Sequence, residues 1–256
     1  MILDINTPYI YYEKNISPDG YKLICIPCAG SGASIYAGWQ KFIGDSIEIL
    51  PVQLPGRENR MAEKCITTCK EAAEKIASEL APYVESGNFS VFGHSMGGII
   101  AFETVKYLEK IGKKADICFV SSTSIEDMRG HVRSSELDDD AFFERVSRYG
   151  AIDESSEILK FPEFKSIFMN ILRADFNVIE TYEYDGIKIN CPIEAICGDS
   201  DPMETIENMS SWEMYTDKGV NYHLYTGGHF YFYDDPREVL NMIKGKIASI
   251  NKRVGE

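Results

Sequence analysis

The sequence predicts an α/β chain, a mostly parallel sheet with helices on both faces and a helical insertion between its fourth and fifth strands. Three observations carry this. Short, nearly continuous apolar runs alternate with amphipathic helical patterns, the rhythm of buried parallel strands joined by crossover helices. The first such run, Tyr21 to Pro27, exits into Cys28-Ala29-Gly30-Ser31-Gly32, a loop whose backbone is suited to close approach. The run Phe89 to Phe92 leads into Gly93-His94-Ser95-Met96-Gly97, with Gly98 beside it, and a helical pattern begins near Met96. Strand, sharp turn and helix form the context in which a G-x-S-x-G motif carries chemistry.

The other elements follow in order. Ile47 to Leu54 forms the second strand and ends at Pro55-Gly56-Arg57. Thr68 and Glu71 have capping-box spacing, and Ala73, Ile76, Ala77, Leu80 and Val84 fall on one helical face. After the elbow, Ile100, Tyr107, Leu108 and Ile111 share a face, and Ile117 to Val120 forms a strand followed by Ser121 and Ser122. The rhythm breaks over 124–184. Glu126 to Lys160 carries ten acidic and five basic residues, and Phe164, Ile167, Phe168, Ile171, Leu172, Phe176 and Ile179 then recur at helix spacing. A helical insertion of this size is expected to be a lid over the site; the alternative is ordinary crossover helices. The sheet resumes at Pro192 to Cys197 and Asn221 to Tyr225, and a helix over about Pro236 to Ile250 closes the chain. No internal repeat or linker interrupts residues 1–256, so a single domain is expected.

Composition limits the function. The 256 residues are 44% apolar and 26% charged, ordinary globular values, and 26 basic against 40 acidic residues give a net charge of −14. That balance disfavours nucleic acid or an anionic membrane as the main partner. Several of the seven cysteines lie in strand-like runs (Cys25, Cys118, Cys197), where Cys is a small buried hydrophobe. Cys25 and Cys28 form a single CxxC with no second half-site, so a structural role is expected, with no metal and no cofactor. Free thiols, no basic-then-apolar leader over Met1 to Asn15 and no membrane-length run lead us to expect a cytoplasmic protein.

Chemistry at the elbow needs a base for the Ser95 proton and an acid to orient that base. α/β-Hydrolases supply these in the chain order Ser, Asp, His from the carboxyl ends of late strands. Of four histidines, His94 lies in the elbow, His131 in the insertion and His223 within a strand; His229 alone sits on a Gly-Gly loop at a strand end. His229 is the expected base. For the acid, Asp201 lies further round the turn after Gly198 than Asp199 and is preferred, with Asp199 as a turn-capping residue. The Cys28–Gly32 loop lacks the glycine spacing or lysine of a phosphate cradle, and suits instead one donor of an oxyanion hole.

These residues, taken together, resemble a type II thioesterase, the stand-alone editing hydrolase of nonribosomal peptide and polyketide synthases. The matching stretches are Ile26-Pro27-x-Ala29-Gly30, Gln53 to Glu58, Gly93 to Gly98, Leu172 to Phe176 with Glu180-Thr181-Tyr182, Gly198-x-x-Asp201-Pro202, and Gly228-His229-Phe230. They run in family order from about residue 20 to 235. The PGR and LRADF segments are more telling than the elbow, because generic esterases lack them. The resemblance implies a Ser95–Asp201–His229 triad and an oxyanion hole from the backbone N–H groups of Ala29 and Met96. It also implies an acyl chamber under the lid and, as partners, acyl or peptidyl carrier proteins bearing phosphopantetheine thioesters; a monomer is expected. Cys28 and Ser31 depart from the family, which usually has an aromatic residue or His at the first position and glycine at the second. Acyl preference is left open by these changes.

Because carrier domains are acidic, as is this chain, a local basic patch of Arg57, Arg60 and Lys64 is expected at the docking face. Two other readings compete. A general carboxylesterase or lipase on the same fold would favour small oxygen esters, and a non-catalytic binding protein would lack a triad member. A cysteine nucleophile is disfavoured because no Cys sits on an elbow.

Overall fold

The computed structural model describes residues 3–11, 15–17, 20–125, 133–147 and 161–253. Each predicted run becomes a strand of one sheet: β1 (Tyr21–Ile26), β2 (Ile47–Pro51), β3 (Phe89–His94), β4 (Cys118–Ser121), β5 (Ile193–Gly198) and β6 (Val220–Tyr225). All five pairings are parallel, in the spatial order β2-β1-β3-β4-β5-β6. The chain reverses its direction of travel across the sheet between β1 and β3. Crevices outside the carboxyl ends of strands at such a reversal are where open α/β sheets place ligands.

Burial on both faces explains the apolar runs. Along β1, Ile24 and Ile26 enter one core while Tyr21, Leu23 and Cys25 enter the other, the period of two that a strand requires. The first core is filled from α2 (Cys69–Leu80) and α3 (Met96–Lys110), the second from α1 (Trp39–Ile43) and the last helix, α6 (Arg237–Arg253). Thr68 caps α2 as its spacing predicts, accepting from the Glu71 N–H at 3.4 Å.

Two helix ends differ from the sequence expectation. Val84 is buried but lies past α2, which stops at Leu80 before a short 3-10 turn containing Pro82, a residue with no N–H to continue the ladder. Ile111 is exposed, because α3 ends at Lys110 and Gly112, at φ 84°, turns the chain away.

Of the insertion, the described parts are two helices, α4 (Asp139–Ser147) and α5 (Pro162–Glu180). They share a small apolar cluster of Phe142, Val146, Met169, Leu172 and Phe176. Polar bonds tie α5 to the 3-10 turn (Ser134–Glu136) just before α4: Glu180 accepts from the Ser134 N–H and hydroxyl, and Arg173 donates to the carbonyls of Ser134 and Leu137. Phe164 and Ile167, which share the helical spacing of the buried residues, are exposed at the amino-terminal end of α5. At the other end the Tyr182 hydroxyl donates to Glu103 of α3 at 2.6 Å, and Lys106 pairs with Glu103 and Asp185. Tyr182→Phe is expected to lower stability by about 1–2 kcal/mol, read from urea denaturation, because it removes one buried bond to a charged group.

Candidate active site

The elbow sits at the centre of the sheet, between β3 and α3. Ser95 adopts φ 54° and ψ −123°, a strained conformation for a residue with a side chain, and so projects from the turn rather than continuing strand or helix. The flanking residues must be glycine. A Cβ on Gly93 would collide with the Gly97 carbonyl, and one on Gly97 with the Ile26 carbonyl of β1. The turn is fastened by the Ser95 N–H to the Ser121 carbonyl and by the Gly98 N–H to the Ser95 carbonyl, each 2.8 Å.

His229, on the loop after β6, is buried and bonds through Nδ1 to Asp201 Oδ2 at 2.9 Å. The other carboxylate oxygen, Oδ1, accepts from the backbone N–H groups of Met203 at 2.9 Å and Glu204 at 3.2 Å. Burial pushes the Asp201 carboxyl up, but the bonds from His229 and the Met203 N–H outweigh it and hold the group below the usual carboxylate range. Asp199 points elsewhere. It is exposed and accepts from the Gly227 N–H at 3.0 Å and the Ser200 hydroxyl at 2.9 Å, staples within the two loops.

Two of the remaining histidines are accounted for. His94 is wholly buried at the end of β3, its Nδ1 2.9 Å from the Ser121 hydroxyl; burial, and then the nearby His229, keep its pKa well below that of an ordinary imidazole. His223 pairs with Glu194 across the β5–β6 register at 2.6 Å. His131 lies outside the described residues.

Ser95 and His229 line one cavity of about 450 Å³, together with Ala29, Met96, Ile99, Phe176 and Phe230. This volume falls within the range of small-molecule sites. Residues from three further regions complete the wall: Ser122 to Ile125 after β4, Met203 and Glu204 after β5, and Arg145, Ile179 and Glu180 from the two insertion helices. Ser122, Ile179 and Glu180 stand out in the sequence only as parts of a strand end, a helical face and a family stretch; their separation along the chain leaves no local sign that they share a wall.

Ala29 and Met96, both in the cavity wall, carry the two backbone N–H groups that the sequence points to. Met96 is the first residue of α3, and its N–H is among those with no carbonyl to meet inside the helix. Ala29 occupies the second position of a tight turn closed by the Ser31 N–H to the Cys28 carbonyl, with Gly30 third at φ 76°. No group of three or more metal-ligating side chains occurs among the described residues.

The basic patch expected of Arg57, Arg60 and Lys64 does not form. Arg57 is 3% exposed and makes a two-pronged pair with Asp175 of α5, 2.7 Å on each arm. Arg60 is also buried and bonds Glu63 and the Gln53 carbonyl, so only Lys64 stays on the surface. Both guanidinium groups neutralise carboxylates of this chain instead of waiting for a partner's. Arg57→Ala is therefore expected to lower stability by about 3–5 kcal/mol in a denaturant titration, the cost of stranding a buried charge.

All seven cysteines are free thiols. Among the described residues no helix is long and apolar enough to cross a membrane.

Known proteins share the sequence and fold of this chain. The family model of the thioesterase domain matches residues 21–247. The chain is 33% identical to thioesterase PikA5 of Streptomyces venezuelae over 87% of this chain and 79% of that protein. It is 32% identical to the gramicidin S biosynthesis protein GrsT of Aneurinibacillus migulanus over 87% of each. Its structure superposes on that of the type II thioesterase BorB from the borrelidin biosynthetic cluster with a TM-score of 0.80 and 28% identity, covering 95% of this chain and 97% of that one. A six-stranded parallel sheet, a serine on a strained elbow and a match over nearly the whole chain lead to one conclusion: this protein belongs to the thioesterase family and is a serine hydrolase of thioesters.

Proposed function

We propose that this protein removes acyl or aminoacyl groups from the phosphopantetheine arms of carrier proteins in nonribosomal peptide or polyketide biosynthesis, with Ser95, His229 and Asp201 as its triad. The observation that carries the triad is geometric: Ser95 and an Asp201-backed His229 border the same cavity. The pathway follows from the biosynthetic clusters in which the relatives are named.

In this reading Ser95 Oγ attacks the thioester carbonyl while His229 takes its proton. The carbonyl π pair moves onto oxygen, where the N–H groups of Ala29 and Met96 receive it. Met96 adds the positive end of the α3 dipole. The pair returns, the carbon–sulfur bond breaks, and the departing thiolate is protonated by His229. A water deprotonated by the same imidazole then releases the carboxylic acid and regenerates Ser95. Asp201 holds the ring in the tautomer that leaves its second nitrogen free for this exchange.

The segment 124–184 acts as a lid in this proposal, supported by Arg145, Phe176, Ile179 and Glu180 in the cavity wall. The enzyme works as a cytoplasmic monomer, in keeping with its free thiols. The test is hydrolysis of an acetyl-loaded carrier protein against the matching free thioester and a p-nitrophenyl ester. A kcat/KM at least tenfold higher for the loaded carrier is expected. Preference for the oxygen ester would return the protein to the general esterases.

A further inference from the structure

The Arg57–Asp175 pair is more elaborate than packing requires. A buried ion pair is seldom more stabilising than apolar residues of the same volume. Here one carboxylate oxygen, Asp175 Oδ2, accepts two bonds at 2.7 Å, one from Arg57 Nη1 and one from the backbone N–H of Gly30. Arg57 Nη1 also donates to the Ser31 carbonyl at 3.1 Å. Both side chains are almost wholly buried, at 4% and 2% exposure. The pair thus grips the turn after β1 at two consecutive residues, from opposite sides of a salt bridge.

The turn contains three N–H groups in a row. That of Ser31 closes the turn onto Cys28, and that of Gly30 is taken by Asp175. The Ala29 N–H is left for the cavity that Ala29 lines. A bare carboxylate beside a developing oxyanion would oppose it, and the guanidinium cancels that charge. Leu172, one turn before Asp175 on the same helix, closes over Gly30 so tightly that a Cβ there would stand 2.8 Å from its Cδ2.

We propose that Asp175 is a positioning residue for the oxyanion hole: it binds the Gly30 N–H so that the neighbouring Ala29 N–H is aimed at the reacting carbonyl oxygen, while Arg57 serves it by neutralising the carboxylate. Because Asp175 belongs to α5, the seating of that helix and the aim of the donor are one event. This rests on the reading of Ser95, Ala29 and Met96 given above.

Two double variants isolate the contact. Arg57→Met with Asp175→Asn removes both charges and keeps an oxygen acceptor for Gly30; Arg57→Met with Asp175→Leu removes the acceptor as well. The first is expected to keep kcat within about threefold of the wild type. The second should lose a further 10- to 100-fold in kcat with KM within about twofold, somewhat less than deleting an oxyanion donor outright. An alkyl trifluoromethyl ketone supplies a readout that a merely structural role would not move. Ser95 Oγ adds to its carbonyl carbon, the π pair becomes the oxyanion, and the proton passes to His229. The pH at which the fluorine resonance of this adduct titrates should rise by about one unit in the second double variant relative to the first, the tenfold weakening that a misaimed donor implies. Equal kcat and equal adduct titration in the two would overturn the proposal, as would a loss confined to KM.

Amide spectra of the wild type test it without any variant. Adduct formation should move the Ala29 and Met96 N–H resonances downfield and leave Gly30 in place, and movement of Gly30 would overturn it. If the wild type forms no adduct with the ketone, the serine and oxyanion reading itself fails. If the adduct forms and the two double variants hold it alike, only the role of Asp175 fails.

Discussion

Ser95→Ala should lower kcat on an acyl-loaded carrier protein by about a millionfold, with KM changed by no more than a few-fold. The argument is one of removal. In the proposed mechanism the hydroxyl is the nucleophile, and among the described residues no other cavity-lining group stands on a strained elbow at the amino end of a helix. What persists is the part of catalysis that needs no nucleophile: binding, and the donors that polarise the carbonyl, together about a thousandfold or more over water. Adding His229→Ala should therefore cost little more, because the base has lost its client. Single-turnover release of radiolabelled acetate from the carrier would measure both. Appreciable turnover surviving the loss of Ser95 would mean that the nucleophile lies elsewhere.

Asp201→Asn is expected to lower kcat by about 10,000-fold while Asp199→Asn stays within a few-fold of the wild type. The two carboxylates lie two residues apart on one loop, but only Asp201 meets the imidazole. An amide at 201 can present its NH₂ to His229 Nδ1 and so favour the tautomer that cannot accept the serine proton. At 199 the same change only weakens a bond to the Gly227 N–H. Acidification gives a second view. The Asp201 carboxyl is depressed in the folded protein, so its contribution to stability is full above the unfolded pKa of about 3.9 and is lost as pH falls through the lower folded value. The stability gap between wild type and Asp201→Asn should thus be level above about pH 5 and shrink below about pH 4, read by urea titration across that range.

The strands were legible because a parallel strand buried on both faces has little choice but a continuous apolar run, and five crossovers punctuate the runs with helical periodicity. Ser95 and His229 were legible for a related reason. Each stands among glycines at a strand's carboxyl end, and glycine there marks backbone forced into close quarters. Asp201 followed from its place in the turn. The helix α1 was invisible because five residues hold barely more than one turn of periodicity. Arg57 was misread outright: a basic residue after Pro-Gly has the pattern of a surface cation, and the carboxylate that claims it lies 118 positions later. Pairing across such a distance is decided by tertiary packing, and a single sequence carries no local trace of it.

The spatial order of the strands also bears on how the chain comes to be folded as it is made. β1 is an interior strand, yet one of its two neighbours, β3, begins at Phe89, and β5 and β6 follow only from Ile193 onward. A chain emerging amino end first must carry an apolar strand with an open hydrogen-bonding edge until roughly a third of it has been synthesised. The edge of β4 then waits for the whole 124–184 segment to pass. Such long-range parallel pairing closes large loops before it gains contacts, which makes for slow folding and lengthy exposure of sticky edges. Seven thiols travel with those edges, five of them (Cys25, Cys28, Cys118, Cys191 and Cys197) in or beside strands. Disulfide cross-linking is therefore a hazard for the nascent protein more than for the finished one, whose cysteines are already packed out of reach apart from the half-buried Cys65.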